Sequence, residues 1–304
     1  MIRKIEPLLS VCVITYNHEG YIRANLNSIL NQECDFDFEI VIGEDCSTDA
    51  TRQICEEYAK NNPRIVLLPS DKNMGMIPNF LRTIDACKGK YIAFCEGDDY
   101  WIHPLKMQKQ VDFLEKNSEY GLTYGIAKLF IQSENEFRGS KGTKEAERYV
   151  NLLCDFQIHT STVMLCKSLL AACNNEFNEF AKDALFYDYF YWLWFSRNSK
   201  IKYINEEFSV WRILSESGCH IKESRKSLKA ALSGLEMRIY FILKYPIDNE
   251  DDQKKIWERI REEFLLILDT NYYIGSDDKS KSLSYRLGNS ILLPLKMLKK
   301  IKRN

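Results

Sequence analysis

The sequence predicts an α/β fold, a mostly parallel β-sheet flanked by helices and followed by a C-terminal helical appendage. Three observations predict it. Strand-like and helix-like segments alternate four times within the first hundred residues, the pattern of a parallel sheet with crossover helices. The leading strand candidate is a near-continuous apolar run, as expected for a strand covered on both faces. From about Glu223 glycine becomes scarce and apolar residues recur at helical spacing.

Residues 8–15 form the first apolar run, and Tyr21, Ile22, Leu26, Ile29 and Leu30 then recur with a helical period. Residues 38–43 are a second buried strand. Ser47 or Thr48 with Asp49 places a cap and an acid where the next helix opens, and that helix carries Ile54, Cys55 and Tyr58. Residues 65–68 are a third strand. A loop with Asn73, Gly75 and Pro78 leads to a helix with Phe80, Leu81 and Ile84. Gly89 ends that helix before a fourth strand at 91–95.

Beyond it, Met107, Val111 and Leu114 share one helix face, and 121–131 is a strand. The polar, glycine-containing segment 132–148 is expected to be a loop. Residues 160–166 are a strand, 185–196 an aromatic helix, and 201–204 and 208–213 short strands. Leu228, Ala231, Leu232, Leu235 and Ile239 mark a helical face beyond them. The expected division is an α/β domain at 1–222 and a helical region at 223–304, with no internal repeat.

Lysine plus arginine number 42 and aspartate plus glutamate 43, so the chain lacks the basic excess of a dedicated nucleic-acid binder. With 45% hydrophobic residues it is not a disordered chain. The ten cysteines form no C-x-x-C pair and no zinc spacing. Several sit in apolar runs, as Cys12 and Cys95 do, and read as small buried hydrophobes in a reducing compartment. The apolar stretch near the N-terminus is too short for a signal-peptide core. The longest apolar run, 189–195, falls far below the roughly 20 residues of a spanning helix. A cytoplasmic chain without a membrane span is expected.

In parallel sheets ligands sit beyond the carboxyl ends of the strands. Here those ends carry Tyr16-Asn17, Glu44-Asp45, Pro69-Ser70-Asp71 and Glu96-Gly97-Asp98-Asp99. The last is the sharpest feature, because three carboxylates this close repel unless a cation or hydrogen-bond donors compensate. Oxygen ligands on a strand-end loop suit Mg²⁺ or Mn²⁺ with substrate phosphates, and a solvated acidic turn is the plainer alternative. Glu44-Asp45 can accept hydrogen bonds from a nucleobase and ribose, or simply cap the following helix.

Asp188 lies in a segment that is apolar or aromatic on nearly every side. An acid there is costly unless paired or functional, and partial burial raises its pKa toward that of a general base. Pairing with an arginine such as Arg212, or exposure at a helix end, are the alternatives. His18, His103, His159 and His220 show no metal-ligand spacing. They read as surface or hydrogen-bonded structural residues, with His220, in a glycine-containing loop, a candidate for contacting a phosphate. Dinucleotide-binding, P-loop and hydrolase-elbow motifs are absent.

Taken in order, Val11-Cys-Val-Ile-Thr-Tyr-Asn17, Ile40-Val-Ile-Gly-Glu-Asp-Cys-Ser-Thr-Asp49, Asn73-Met-Gly75 with Asn79, and Gly89-Lys-Tyr-Ile-Ala-Phe-Cys-Glu-Gly-Asp-Asp-Tyr-Trp101 resemble a family 2 glycosyltransferase of the GT-A fold. Pro104, Lys106 and Gln110 continue the match, and a weaker resemblance reaches Arg212.

The resemblance implies an inverting transfer of a sugar from a nucleoside-diphosphate sugar, a UDP-sugar first, to an acceptor hydroxyl on a glycan or lipid-linked acceptor in cell-surface polysaccharide assembly. It puts Thr15, Tyr16 and Asn17 at the nucleotide, with Tyr16 near the base, and Glu44 and Asp45 at nucleobase and ribose. Asn73, Asn79, Glu96, Trp101, Arg212 and His220 join them as substrate-binding residues. Asp98, itself also on the substrate side, and Asp99 become ligands of Mg²⁺ or Mn²⁺, and Asp188 the catalytic base. Glu44 and Glu96 stand where the family more often has aspartate, Tyr187 where an acid often precedes the base, and Leu214 where a histidine often follows the arginine.

From Asn289 onward the chain has five basic residues and no acid, a composition suited to docking on an anionic membrane surface. A solvated helix end or a packing appendage is the alternative; with membrane docking, the expected cytoplasmic chain works at the inner face of the membrane. A non-catalytic sugar-nucleotide-binding protein of the same fold is the alternative from another class. A nucleotidyltransferase would need a glycine-rich basic loop after the first strand, and Asn17-His-Glu-Gly20 is not one.

Overall fold

In the computed structural model, which describes residues 6–180, 185–214 and 224–274, the first apolar runs form β1 (Leu9–Thr15) and β2 (Phe38–Glu44), both buried along their whole length. They pair in parallel, with Leu9 opposite Phe38 and Thr15 opposite Glu44. On its other edge β1 pairs in parallel with β4 (Tyr91–Phe94), and β2 pairs in parallel with β3 (Ile65–Leu67). This register brings the carboxyl ends of β1 and β2 level, with the residues after β4 beside them.

The two faces of this parallel core are covered differently. Leu9, Val11, Val13, Ile40 and Ile42 cluster with Ile22, Leu26 and Ile29 of α1 (Ile22–Leu30) and with Met107, Val111 and Leu114 of α4 (Lys106–Lys116). On the opposite face Phe94 meets Phe80 of α3 (Met76–Ala86) and Trp192 of α7 (Asp188–Asn198), both at 6.0 Å between ring centroids. Each fully buried aliphatic or aromatic side chain contributes about 1.5–3 kcal/mol, so the strand ends rest on a stiff platform. Gly43 lets α3 approach β2, because a β-carbon there would collide with Thr83 and lie 2.9 Å from Asn79 Oδ1.

Beyond β4 the sheet continues through β8 (Met164–Cys166), β6 (Tyr120–Ile131), β9 (Lys200–Ile213) and β5 (Tyr100–Trp101). β6 and β9 run parallel, whereas β8 is antiparallel to both β4 and β6, and β5 to β9. α2 (Thr51–Asn61), α5 (Tyr149–Cys154) and α6 (Leu170–Phe180) complete the helices of this unit.

Several expectations are corrected. Segment 132–148 is not a loop but β7 (Glu136–Lys141), antiparallel to β6, followed by a 3₁₀ turn at Lys144–Glu147. Phe130 and Phe137 pack edge to face at 4.9 Å across that hairpin, and Asn135 supplies its left-handed residue at φ 53°. The strand expected at 160–166 begins only at Met164, because Thr160–Thr162 form a 3₁₀ turn in which Thr162 Oγ1 donates to the His159 carbonyl. The two short strands after 200 are one, β9, with register shifts between Tyr124 and Ile126 and between Ile126 and Ala127 opposite the polar Asn205-Glu206-Glu207. α2 starts at Thr51 with no capping bond from Ser47 or Thr48. Asp49 Oδ1 accepts from Thr51 N at 2.9 Å, and Ser47 Oγ accepts from Asn17 N instead.

The chain divides into two compact units, residues 1–220 and 221–304. The second contains α8 (Ser224–Lys244) and α9 (Glu250–Ile274). Leu228, Leu235 and Ile267 are buried between them, with Ala231, Leu232 and Ile239 partly so. Arg238 and Glu263 form an inward ion pair. Among the described residues no helix is long and apolar enough to cross a membrane. The nine described cysteines are free thiols. His220 and the basic tail at 289–304 lie outside the described residues.

Candidate active site

The loops after β1 and β2 are laced together by their own polar residues. Asn17, left-handed at φ 55°, accepts from Thr48 N through its side-chain oxygen at 2.9 Å, and His18 N donates to Thr51 Oγ1 at 2.7 Å. Glu19 N donates to Asp49 Oδ2, and Ala50 N to Glu19 Oε2. Cys46 on the facing loop is also left-handed, at φ 58°, a strained position for a side chain with a β-carbon and one that concentrates at functional sites. The Tyr16 ring is 40% exposed, whereas Thr15 is buried at the strand end.

Glu44 and Asp45 brace these loops from inside. Glu44 is fully buried, accepts from Ser47 N at 2.6 Å, and lies 3.6 Å from Arg52. Asp45 accepts from Met74 N and Gly75 N, both at 2.9 Å. Arg82, which the sequence did not single out, donates to the Glu44 carbonyl at 2.9 Å and also to the Pro69 carbonyl. Asn73 is exposed and accepts from Gly75 N. Asn79 is placed in the interior, donating to the Gly43 carbonyl at 2.7 Å, rather than at the cleft.

The loop after β4 is the acidic centre. Asn25, a buried polar residue on the apolar face of α1, donates to the carbonyls of Cys95, Glu96 and Asp99 and fixes the loop. A polar side chain in step with Ile22, Leu26 and Ile29 was the sequence signal for it. Gly97 packs where a β-carbon would strike Thr15 and His18. The expected metal pair is split. The Asp98 carboxylate is partly exposed and accepts no hydrogen bond among the described residues. Asp99 points inward at 1% exposure, where one oxygen accepts from Arg212 N at 2.9 Å and the other accepts no hydrogen bond, with His159 Nδ1 3.8 Å away. The attraction of that backbone amide, from a strand 113 residues later, turns Asp99 away from solvent.

Arg212 does not pair with Asp188. Its guanidinium donates to the Asp98 carbonyl and to Gln132, both at 2.8 Å, between the rings of Tyr21 and Tyr100. Trp101 is likewise a core residue rather than a cleft residue, since its buried indole N–H donates to the Ser161 carbonyl at 2.8 Å.

Asp188 is the first residue of α7 rather than an acid within it, which explains how an apolar segment tolerates it. The free amides and positive dipole end of a helix favour a carboxylate there. One oxygen accepts from Tyr189 N at 2.9 Å and the other from Thr160 Oγ1 at 3.2 Å. Burial raises its pKa, and the Lys141 ammonium opposes the rise. Tyr187, one residue earlier, stacks on Phe80 at 3.6 Å and donates to Glu96 Oε1 at 2.7 Å. Tyr187 thus ties Glu96, on the loop after β4, to the residue before Asp188, and the charges of Asp98 and Asp188 both act on Glu96.

Their mutual repulsion is visible in Glu96, whose pKa is pushed up to about 8 by loss of water first and by Asp98 second. Between the ordinary value of 4.5 and about 8 the folded chain holds this proton and the unfolded chain does not. The group's contribution to stability is therefore full in acid and lost as the pH rises through that window. Without added cation, the melting temperature relative to Glu96→Gln is expected to fall between about pH 5 and about pH 8, and Mn²⁺ is expected to remove most of the fall. A difference that stays flat, or rises, would contradict the assignment.

The donor set fits a divalent cation held in part by substrate. Asp98 offers a carboxylate that accepts no hydrogen bond among the described residues, and its charge helps raise the pKa of nearby Glu96. No three His, Cys, Asp or Glu side chains converge as a closed metal cage among the described residues. Mg²⁺ and Mn²⁺ are commonly bound this way, through one or two carboxylates with phosphate oxygens completing the shell.

A sheet of this order with acids at its strand ends is the architecture of a GT-A glycosyltransferase. Residues 10–171 match the family described as glycosyl transferase family 2, more than half of the chain, and the protein belongs to that family. It is 42% identical over 112 residues to an uncharacterized protein of Mycobacterium tuberculosis, covering 36% of this chain and 32% of that one. It is 34% identical over 113 residues to the putative teichuronic acid biosynthesis glycosyltransferase TuaG of Bacillus subtilis, covering 37% and 44%. These two matches each span less than half of the relative's length. A 28% identical match covers 79% of this chain and 92% of the Escherichia coli UDP-Glc:alpha-D-GlcNAc-diphosphoundecaprenol beta-1,3-glucosyltransferase WfgD. Among solved structures, Staphylococcus aureus TarS 1-349 in complex with UDP-GlcNAc superposes with a TM-score of 0.66 at 18% identity, over 93% of this chain and 80% of that one. The mannosyltransferase PcManGT of Pyrobaculum calidifontis, in complex with GDP-Man and Mn²⁺, gives 0.57 at 15% identity over 90% and 77%.

Proposed function

We propose that the protein is a metal-dependent, inverting glycosyltransferase that moves a sugar from a UDP-sugar to a hydroxyl of a glycan or lipid-linked acceptor in cell-surface polysaccharide assembly. The observation that carries this reading is that the charges of both Asp98 and Asp188 act on Glu96 beyond β4, with the Asp98 carboxylate accepting no hydrogen bond among the described residues and Asp188 held by two. The name of WfgD specifies a UDP-sugar donor and a lipid diphosphate acceptor, and TarS binds UDP-GlcNAc; both support the choice of donor class.

Asp188 takes the proton of the acceptor hydroxyl as its oxygen attacks the anomeric carbon. The bond from that carbon to the diphosphate breaks on the opposite face, and its electron pair leaves with the nucleoside diphosphate. One displacement with one base inverts the anomeric centre. A divalent cation held by Asp98 would supply neutralisation of the charge that develops on the leaving diphosphate. Tyr16 offers its exposed ring to the base, and the loops braced by Asn17 and Asp45 frame the nucleotide. Arg212 fixes the backbone of Asp98, so the carboxylate is already aimed before substrate arrives. A lipid-linked acceptor would put this work at the inner membrane surface, which the basic composition of residues 289–304 suits.

The test is to offer the full chain a panel of nucleotide sugars with Mn²⁺ and a sugar-diphospholipid acceptor, and to weigh the products. One UDP-sugar is expected to add one sugar to the acceptor. Transfer confined to donors with another nucleotide, or no transfer from any donor, would contradict the proposal.

A further inference from the structure

The first α/β unit buries a lysine that neither the nucleotide end nor the base uses. Lys106 is fully buried at the start of α4 and has no carboxylate partner among the described residues. Its ammonium donates to Gln110 Oε1 at 2.8 Å and lies 4.0 Å from the centre of the Trp101 ring. Burial holds its pKa down to about 7. An apolar side chain of the same length would fill this space without the desolvation penalty of an amine. Stability therefore does not explain the lysine, whereas geometry does.

Gln110 turns its oxygen toward Lys106, which donates to it, and its NH₂ the other way. That NH₂ donates to the Thr162 carbonyl at 2.9 Å and to Thr123 Oγ1 at 3.0 Å. The Trp101 ring beneath the ammonium donates its N–H to the Ser161 carbonyl. Ser161 Oγ is 2.8 Å from both His159 Nδ1 and Ser209 Oγ. The contacts to Thr162 and Ser161 fall on one 3₁₀ turn, Thr160–Thr162, while Thr123 of β6 holds Gln110 from the other side. The turn's first residue, Thr160, is 3% exposed and donates to Asp188 Oδ2.

We propose that Thr160 is the positioning residue for Asp188, and that Lys106, Gln110 and Trp101 form the buried brace that holds its turn in place. The inference rests on reading Asp188 as the base. Tyr189 N sets one carboxylate oxygen and Thr160 the other, and together they fix the plane in which the acceptor proton is received. Without the second bond the carboxylate rotates about the first.

Three variants test this with transfer kinetics, UDP calorimetry in Mn²⁺ and thermal melts. Thr160→Val keeps the shape and removes the donor. It is expected to lower kcat by about 10- to 100-fold, the scale of a misplaced catalytic group, with UDP affinity and the acceptor KM unchanged. Thr160→Ser restores most of the rate. Lys106→Met is expected to melt at or above the wild-type temperature while kcat still falls. Wild-type kcat in Thr160→Val overturns the positioning role, and so does a loss shared equally by UDP affinity and melting temperature. Wild-type kcat in Lys106→Met overturns the brace. Asp188→Asn run alongside separates the two levels. Full turnover by that variant removes the base and this inference with it, whereas an inactive Asp188→Asn beside a full-rate Thr160→Val removes the inference alone.

Discussion

Asp188→Asn is expected to lower sugar transfer by about 10²- to 10⁴-fold, the contribution of a positioned general base, while UDP binding in Mn²⁺ stays at its wild-type level. The carboxamide has nearly the shape of the carboxylate and its oxygen can still accept from Thr160 or Tyr189 N, but it cannot take up a proton. Burial raises the Asp188 pKa, so the acid limb of the wild-type rate should lie above the ordinary carboxylate range. Activity is lost as the pH falls through that raised value, because only the ionised form accepts the proton. Single-turnover transfer and calorimetry on the same preparation check both halves. Full turnover by the variant would move the base elsewhere. An equal loss of UDP affinity would make Asp188 a donor-binding group. A non-catalytic binding protein would show no transfer even as wild type.

Asp98→Asn is the second large effect. Neutralising a leaving diphosphate is worth several kcal/mol in the transition state, so transfer should fall by about a thousandfold or more at about 1.4 kcal/mol per decade. UDP affinity in Mn²⁺ should fall toward the value measured in a chelator. Asp99→Asn provides the contrast. Asp99 is held inside by Arg212 N and burial raises its pKa, so near neutral pH the carboxamide should melt at or above the wild-type temperature and leave the metal dependence of UDP binding intact. Equal UDP affinity with and without Mn²⁺ in the wild type would overturn the metal assignment, and a metal-blind Asp99→Asn would make Asp99 the ligand instead.

The sheet and its acidic edge were legible because strands buried on both faces read as unbroken apolar runs, and their ends are marked by Tyr16-Asn17, Glu44-Asp45 and Glu96 to Asp99. The face of α8 was legible for a similar reason, since Leu228 and Leu235 keep the helical period. The direction of each acid was not. Neighbouring carboxylates on an irregular loop have no period, and what separates partly exposed Asp98 from buried Asp99 is an amide on β9. Trp101 and Asn79 belong to the matching motif, yet their partners are the Ser161 and Gly43 carbonyls. A motif records which residues recur and not which way they face. β7 was hidden because an exposed edge strand such as Glu136–Lys141 has little apolar pattern to show. The Thr160–Thr162 turn was hidden because hydroxyl residues read equally well as strand or turn, and only their side-chain bonds decide.

The central claim is a single displacement on a UDP-sugar with Asp188 as the only base. Proton NMR of the product, reading the coupling at its new anomeric centre, tests it most directly. Starting from an α-linked UDP-sugar, the expected result is a β-linkage. An α-linkage would mean two displacements or a front-face route, and would contradict the account.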